Sequence, residues 1–184
     1  MIYFDNNATT QIAPEVFEAM RPFLEASFGN PSAAYLMGRF AHDAVSSARS
    51  DVAELLGANT PSEIAFTSCG TESDNWAILG ALEANPDKRH IITTQIEHDA
   101  IRKLCENLEK KNYRVTWLEV DEQGSLDLDG LRAALNKETA VVSTMLANNE
   151  TGILFPVSEV GDIVKSHSDA LFHVDGVNAV GKIP

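Results

Sequence analysis

Positive charge is scarce in this sequence. Fourteen Lys and Arg stand against 27 Asp and Glu, a formal net charge of −13 over 184 residues. No basic stripe can be drawn along such a chain to neutralise a phosphate backbone, which argues against a nucleic-acid partner. Cysteine is also sparse: Cys69 and Cys105 form no CxxC and no disulfide framework, which suits a reducing compartment. The sequence does not cluster ligands for zinc, so no metal site is expected. No apolar run approaches the ~18 residues of a membrane helix, and Met1-Ile2-Tyr3-Phe4-Asp5 lacks the basic start and apolar stretch of a signal peptide. We therefore expect a cytoplasmic protein with no membrane partner. GxGxxG and GxxxxGK[ST] are both missing, so neither a dinucleotide nor an ATP cradle is indicated. No repeat or low-complexity segment occurs.

A hydrophobic fraction of 44% over 184 residues allows one domain with a proper core, possibly part of a larger one. The most informative stretch is Glu63-Ile-Ala-Phe-Thr-Ser-Cys-Gly-Thr-Glu-Ser-Asp-Asn-Trp76. Glu63 to Ser68 has the residues of a strand, and Gly70-Thr71 opens a helix with Trp76, Ile78, Leu79 and Leu82 at helical spacing. A strand–turn–helix junction directs free N–H groups and the positive end of the helix dipole at one spot, a place for a phosphate. The plainer alternative is a helix capped by Thr or Ser.

Before this stretch the chain is helical. Met1 to Thr10 is an arm or loop rich in side chains that bond their own backbone. Pro14 to Leu24 and Gly38 to Leu56 have helix periodicity, with Gly57 as a stop. After it, short strands and helices alternate. Strands are expected at His90–Thr94, Arg114–Val120, Ala140–Leu146 and Ala170–Val174, and helices at His98–Leu108, Leu126–Leu135 and Val157–His167. The expected fold class is α/β, a mostly parallel sheet flanked by helices with an N-terminal helical arm. Residues 1–60 form the arm and helices in this division, and 61–184 the sheet domain.

Ligands of such sheets bind beyond the carboxyl ends of the strands. The residues found there are Ser68-Cys69-Gly70-Thr71, Glu97-His98, Asn148-Asn149-Glu150 and Asp175-Gly176-Val177-Asn178. Asp175 leaves a buried strand with no Lys or Arg near it in sequence, and a protonated ring nitrogen of a ligand would satisfy it. His98, at a helix start, can lie flat on an aromatic ring, and Asn149 can bond a ring substituent. With a phosphate at Gly70-Thr71, the set describes pyridoxal 5′-phosphate. Each member also has a plainer role: Asp175 as a turn cap, His98 as a helix cap, Asn148-Asn149 as turn residues. Packing is the expected role of Cys69, although a helix dipole would lower its pKa.

Tyr3-Phe4-Asp5-Asn6-Asn7-Ala8-Thr9-Thr10, Gly29-Asn30-Pro31-Ser32, Phe66 to Ser73, Glu97-His98, Asn148-Asn149-Glu150 and His173-Val174-Asp175 together resemble the cysteine desulfurases of the NifS/IscS type. These belong to the class V aminotransferase group of fold-type I pyridoxal phosphate enzymes, and the resemblance covers the whole chain. It implies that Gly70 and Thr71 hold the phosphate and that Asp175 pairs with the ring nitrogen. His98 would stack on the ring and assist proton transfer, Asn149 would contact the ring oxygen or the substrate, and Asn178 would stand near the ring oxygen. Asn7, Ala8 and Thr9 would line the substrate side. It further implies L-cysteine as substrate, a persulfide-carrying enzyme cysteine, a sulfur-acceptor or iron–sulfur scaffold protein as partner, and a homodimer.

Two positions depart from the family pattern: Asn178 stands where the family has Gln, and Ala34-Tyr35 where it often has His. The family's Schiff-base lysine, persulfide cysteine and substrate arginine fall beyond Pro184. Lys182 is not expected to replace that lysine, so the 184 residues are expected to be an N-terminal portion, inactive alone. Two alternatives remain at this level: another class V enzyme, such as a selenocysteine lyase or aminotransferase, or a non-catalytic module that binds a partner or dimerises.

Overall fold

In the computed structural model, which describes residues 2–183, the chain divides into two units, Met1–Phe66 and Thr67–Pro184. The first is helical. Helix α1 (Pro14–Glu25) starts on a proline whose missing N–H costs nothing in the first turn. None of its residues is buried. Helix α2 (Leu36–Leu56) ends where the sequence predicts, on Gly57 in the left-handed region (φ 68°). The Ala58 N–H turns back to the Ala53 carbonyl at 2.9 Å there, a closure that a residue with a Cβ adopts only under strain.

The strand expected at Glu63–Ser68 does not form. Pro61–Glu63 makes a 3₁₀ turn and Ile64 is extended, but the segment joins no sheet among the described residues. Arg49 of α2 is what holds it, donating to the Ile64 carbonyl and stacking its guanidinium 4.7 Å from the Phe66 ring centre. β-favouring residues specify a strand only when a partner strand is available.

The second unit is the α/β body. Its elements run α3 (Gly70–Ala84), β1 (His90–Thr94), α4 (Asp99–Glu109), β2 (Arg114–Leu118), α5 (Leu128–Ala134), β3 (Thr139–Met145), α6 (Val157–His167) and β4 (Leu171–Asp175). β2 and α5 are shorter than their apolar patterns predict. Val120 and Leu126 instead pair as an antiparallel bridge around a turn in which Asp121 Oδ1 accepts the Gln123 and Ser125 N–H groups at 2.9 and 2.7 Å.

All four strands are parallel, in the order β2-β1-β3-β4. The central strands β1 and β3 are buried throughout, whereas the edge strands β2 and β4 are covered only in part. Successive residues of the central strands serve opposite faces. Ile91 and Val141 pack with Ile78, Leu82, Ile101 and Cys105 of α3 and α4. Ile92 and Val142 pack with Leu131, Val160 and Val164 of α5 and α6. Each fully buried aliphatic side chain contributes about 1.5–3 kcal/mol. Between β1 and β3 the chain reverses its direction of winding, and the loops after those two strands diverge. A crevice opens at such a point in doubly wound sheets.

Candidate active site

The crevice is present. A cleft of about 510 Å³ lies beyond β1 and β3, lined by Glu97, His98, Asp99 and Arg102 on one side and Asn148, Asn149, Glu150 and Thr151 on the other. His98 is the N-cap of α4, its Nδ1 accepting the Ala100 N–H at 3.1 Å. That bond leaves the proton of the neutral imidazole on Nε2. His98 thus takes the plainer role read from sequence, a helix cap, and it is an exposed residue of the cleft wall.

The pair Asn148-Asn149 divides the work. Asn148 builds the loop: Oδ1 accepts the N–H groups of Glu150 (2.9 Å) and Thr151 (2.8 Å) and the Thr151 hydroxyl (3.0 Å), and Nδ2 donates to the Ile96 carbonyl at 3.2 Å. This ties the β3 loop to the β1 loop and leaves half-buried Asn149 at the cleft wall.

Asp175 ends β4 and is 8% exposed. Its Oδ1 accepts the Val177 N–H at 2.9 Å, so it also caps the turn. Among the described residues no Lys or Arg pairs with it. Gly70, the first residue of α3, lies against the same turn. A Cβ built on Gly70 would lie 2.7 Å from Val177 Cγ2, so the absence of a side chain keeps the backbone N–H end of α3 and the Asp175 turn together. Thr71 follows, exposed. Asn178 sits half-buried in that turn and makes no side-chain hydrogen bond to another described residue. Asn7, Ala8 and Thr9 belong to the first unit. There the Ala8 N–H meets Asp5 Oδ1 at 3.3 Å, and the Tyr3 and Thr9 hydroxyls are 2.7 Å apart.

Cys69 is not packed, as expected from sequence, but exposed. Its thiol is lowered below the usual range, first by the Glu72 N–H and then by the Ser68 hydroxyl.

Two acids escaped sequence reasoning as a pair. Asp74 of α3 and Glu97 after β1 are 4% and 6% exposed. Burial, with a smaller push from the Asp175 carboxylate, raises Asp74 to about 7. Burial also raises Glu97 to about 7, against the opposing bonds from Thr94 and the Met145 N–H. His173, its Nδ1 2.9 Å from the Ser143 hydroxyl and its Nε2 3.6 Å from Asp74 Oδ1, is lowered by burial. One signal was available for Asp74: it shares the i, i+4, i+8 row of α3 with the buried Ile78 and Leu82, and a carboxylate on an apolar stripe marks a buried polar group. Trp76 and Leu79, expected on that face, are exposed.

Residues 2–184 match the family described as Aminotransferase class-V. The chain belongs to that family. It is 56% identical over all 184 residues to Cysteine desulfurase 2 of Trichormus variabilis, covering 46% of it. Among solved structures it is similar to a NifS-like protein (43% identity, TM-score 0.91, 94% of this chain and 48% of that one). It is also similar to SspA in complex with cysteine (37% identity, TM-score 0.88, 94% of this chain and 49% of that one). The chain thus spans about half the length of the curated relatives it matches.

Class V aminotransferases and cysteine desulfurases are pyridoxal phosphate enzymes, and the residues present fit that group. A buried carboxylate without a cation, a helix start whose approach admits no Cβ, and an imidazole and an amide on opposite walls of one cleft are its requirements in side-chain terms. Among the described residues no helix is long and apolar enough to cross a membrane.

Proposed function

We propose that the protein is a pyridoxal phosphate-dependent cysteine desulfurase. It takes sulfur from L-cysteine, leaves L-alanine, and holds the sulfur as a persulfide on an enzyme cysteine for transfer to an acceptor or iron–sulfur scaffold protein. The observation that carries this is Asp175, a carboxylate 8% exposed at the ligand edge of the sheet with no cation of the described residues paired to it. The identity to cysteine desulfurases and the solved complex of SspA with cysteine support the substrate. In cell and assembly terms the reading is a cytoplasmic homodimer.

When bound, pyridoxal phosphate supplies an electron-withdrawing ring that makes bond breaking at the substrate carbon feasible. This chain's residues do the rest. The N–H groups of Gly70 and Thr71, at the positive end of α3, hold the phosphate. Asp175 holds the ring nitrogen protonated through a charge-assisted bond. His98 covers the ring face and carries a transferable proton on Nε2. Asn149 holds the ring oxygen or the substrate, and Asn178 the ring oxygen.

The test is an absorbance titration with pyridoxal phosphate of wild type and Asp175→Ala. A charge-assisted bond worth about 1.5–3 kcal/mol predicts binding weaker by about 10- to 150-fold in the variant. Equal affinity removes Asp175 from the site and the proposal with it.

A further inference from the structure

Glu97 does something in this structure that the cofactor site alone does not require. One carboxylate oxygen, Oε1, accepts the Thr94 hydroxyl at 2.7 Å and the Met145 N–H at 3.1 Å, fastening the end of β1 to the end of β3. Met145 is the in-register neighbour of Asp175 on β4, and the Leu146 N–H donates to the Asp175 carbonyl at 2.9 Å. Glu97 is therefore one strand removed from Asp175 and shares the cleft with His98 and Asn149. Its other oxygen, Oε2, is buried and has no hydrogen-bond partner. A buried carboxylate oxygen with nothing to accept from is costly when ionised. Among the described residues no group of three or more His, Cys, Asp or Glu is placed to hold a metal ion.

We propose that Glu97 is a positioning residue for the ring-nitrogen site, fixing the Asp175 strand end and, by holding or releasing one proton, setting how strongly that end binds a protonated ring nitrogen. This rests on the proposed function above. With Glu97 neutral, Asp175 faces the ring nitrogen with one fewer anion beside it. With Glu97 ionised, a second negative charge stands one strand away and favours a cationic ring. Burial places that change near neutral pH.

The groups that face Glu97 are few. Asp74 from α3 and Asp175 from β4 both oppose its ionisation, with His173 of β4 against Asp74. Cys105 of α4, pushed up to about 12 by burial and then by Glu97 itself, stays a thiol. Asp99 and Arg102, which also line the cleft, are paired with each other, and His98 and Glu150 complete its walls.

The test compares two ligands, pyridoxal phosphate and its analogue with C–H in place of the ring nitrogen. The ratio of their dissociation constants is measured for wild type and Glu97→Gln at pH 6 and pH 8. Glutamine keeps an acceptor for Thr94 and Met145 but cannot ionise, and the ligands' own titrations cancel between the two proteins. The ratios should agree within about twofold at pH 6. At pH 8 wild type should prefer the nitrogen-containing ring about tenfold more than the variant does, the factor expected of one charge about 12 Å away at an effective dielectric near 20.

A readout on unmutated protein guards against a variant that does not fold. Coupling is reciprocal, so the carboxyl carbon of Glu97, followed by NMR, should titrate about one pH unit lower with pyridoxal phosphate bound than with the analogue. Ratios that agree at both pH values, or differ equally at both, overturn the inference alone, as does a Glu97 titration that ignores the ring nitrogen. Failure of wild type to bind either ring overturns the cofactor assignment and this inference with it.

Discussion

Replacing Asp74 by Asn should stabilise the protein at alkaline pH and leave it nearly unchanged at acidic pH. Asp74 is 4% exposed, and burial, reinforced by the Asp175 carboxylate, lifts its carboxyl from 3.8 to about 7. The folded state then binds a proton more tightly than the unfolded chain does. The sign follows: the neutral acid costs nothing extra below pH 4, and stability falls as pH rises from about 4 through 7. A gap of about three pH units at about 1.4 kcal/mol each gives about 4 kcal/mol as the upper limit. Relaxation and water around the ionised group reduce this, so Asp74→Asn should be about 2–4 kcal/mol more stable than wild type at pH 8 and within about 1 kcal/mol of it at pH 4. Urea unfolding followed by tryptophan fluorescence at the two pH values measures the difference. The refuting outcome is specific. If His173, 3.6 Å away, were charged and paired with an ionised Asp74, the substitution would break a buried ion pair and destabilise the protein at pH 8 by about 3–5 kcal/mol. Burial lowers His173, so the imidazole is neutral at pH 7 to 8 while Asp74, raised to about 7, ionises without a cationic partner, and the opposite sign is expected.

His90 tests the other end of the sheet. Its Nδ1 meets the Thr139 hydroxyl at 2.9 Å and Asn136 Nδ2 at 3.3 Å, and its Nε2 meets the Thr116 hydroxyl at 2.8 Å, all around a fully buried ring. His90→Leu leaves those partners unsatisfied and should cost about 2–4 kcal/mol at pH 7 in the same urea experiment. Because burial and Arg114 lower His90 from 6.5 to about 4, its contribution is whole above pH 6.5 and lost as pH falls to 4. The wild-type advantage should therefore shrink by up to about 3 kcal/mol over that window, and a pH-independent advantage contradicts a neutral His90. Asn148→Ala removes the acceptor of three bonds within the loop. Faster amide exchange at Glu150 and Thr151 is expected, with pyridoxal phosphate binding weakened although Asn148 touches no ligand in the proposed site; unchanged exchange rules out its loop-building role.

What could be read from the sequence, and what could not, follows the range of the interactions involved. The parallel strands and their helices were legible because periodicity is local, and a run such as Ala140-Val141-Val142 declares a buried strand without knowledge of its neighbours. The junction at Glu63–Ser68 was not, since its β-favouring residues met Arg49 in place of a strand. Three of the predicted strand-end groups, after β1, β3 and β4, do follow strands of one parallel sheet, whose C-terminal edge is one place, whereas Ser68 to Thr71 opens α3 with no strand before it. The supports of these groups were not legible. That Asn148 builds the loop on which Asn149 stands, and that Glu97 links β1 to β3 beside Asp175, depends on hydrogen bonds that span about 50 residues of sequence. A carboxylate looks the same in sequence whether it faces water or is buried with an unpartnered oxygen. Burial sets Asp74 and Glu97, together with Asp175, apart from the other acids of a strongly acidic chain. Glu97 and Asp175 are a β-strand apart in the fold and 78 positions apart in the chain, and the coupling between them decides what charge the site presents to a ligand.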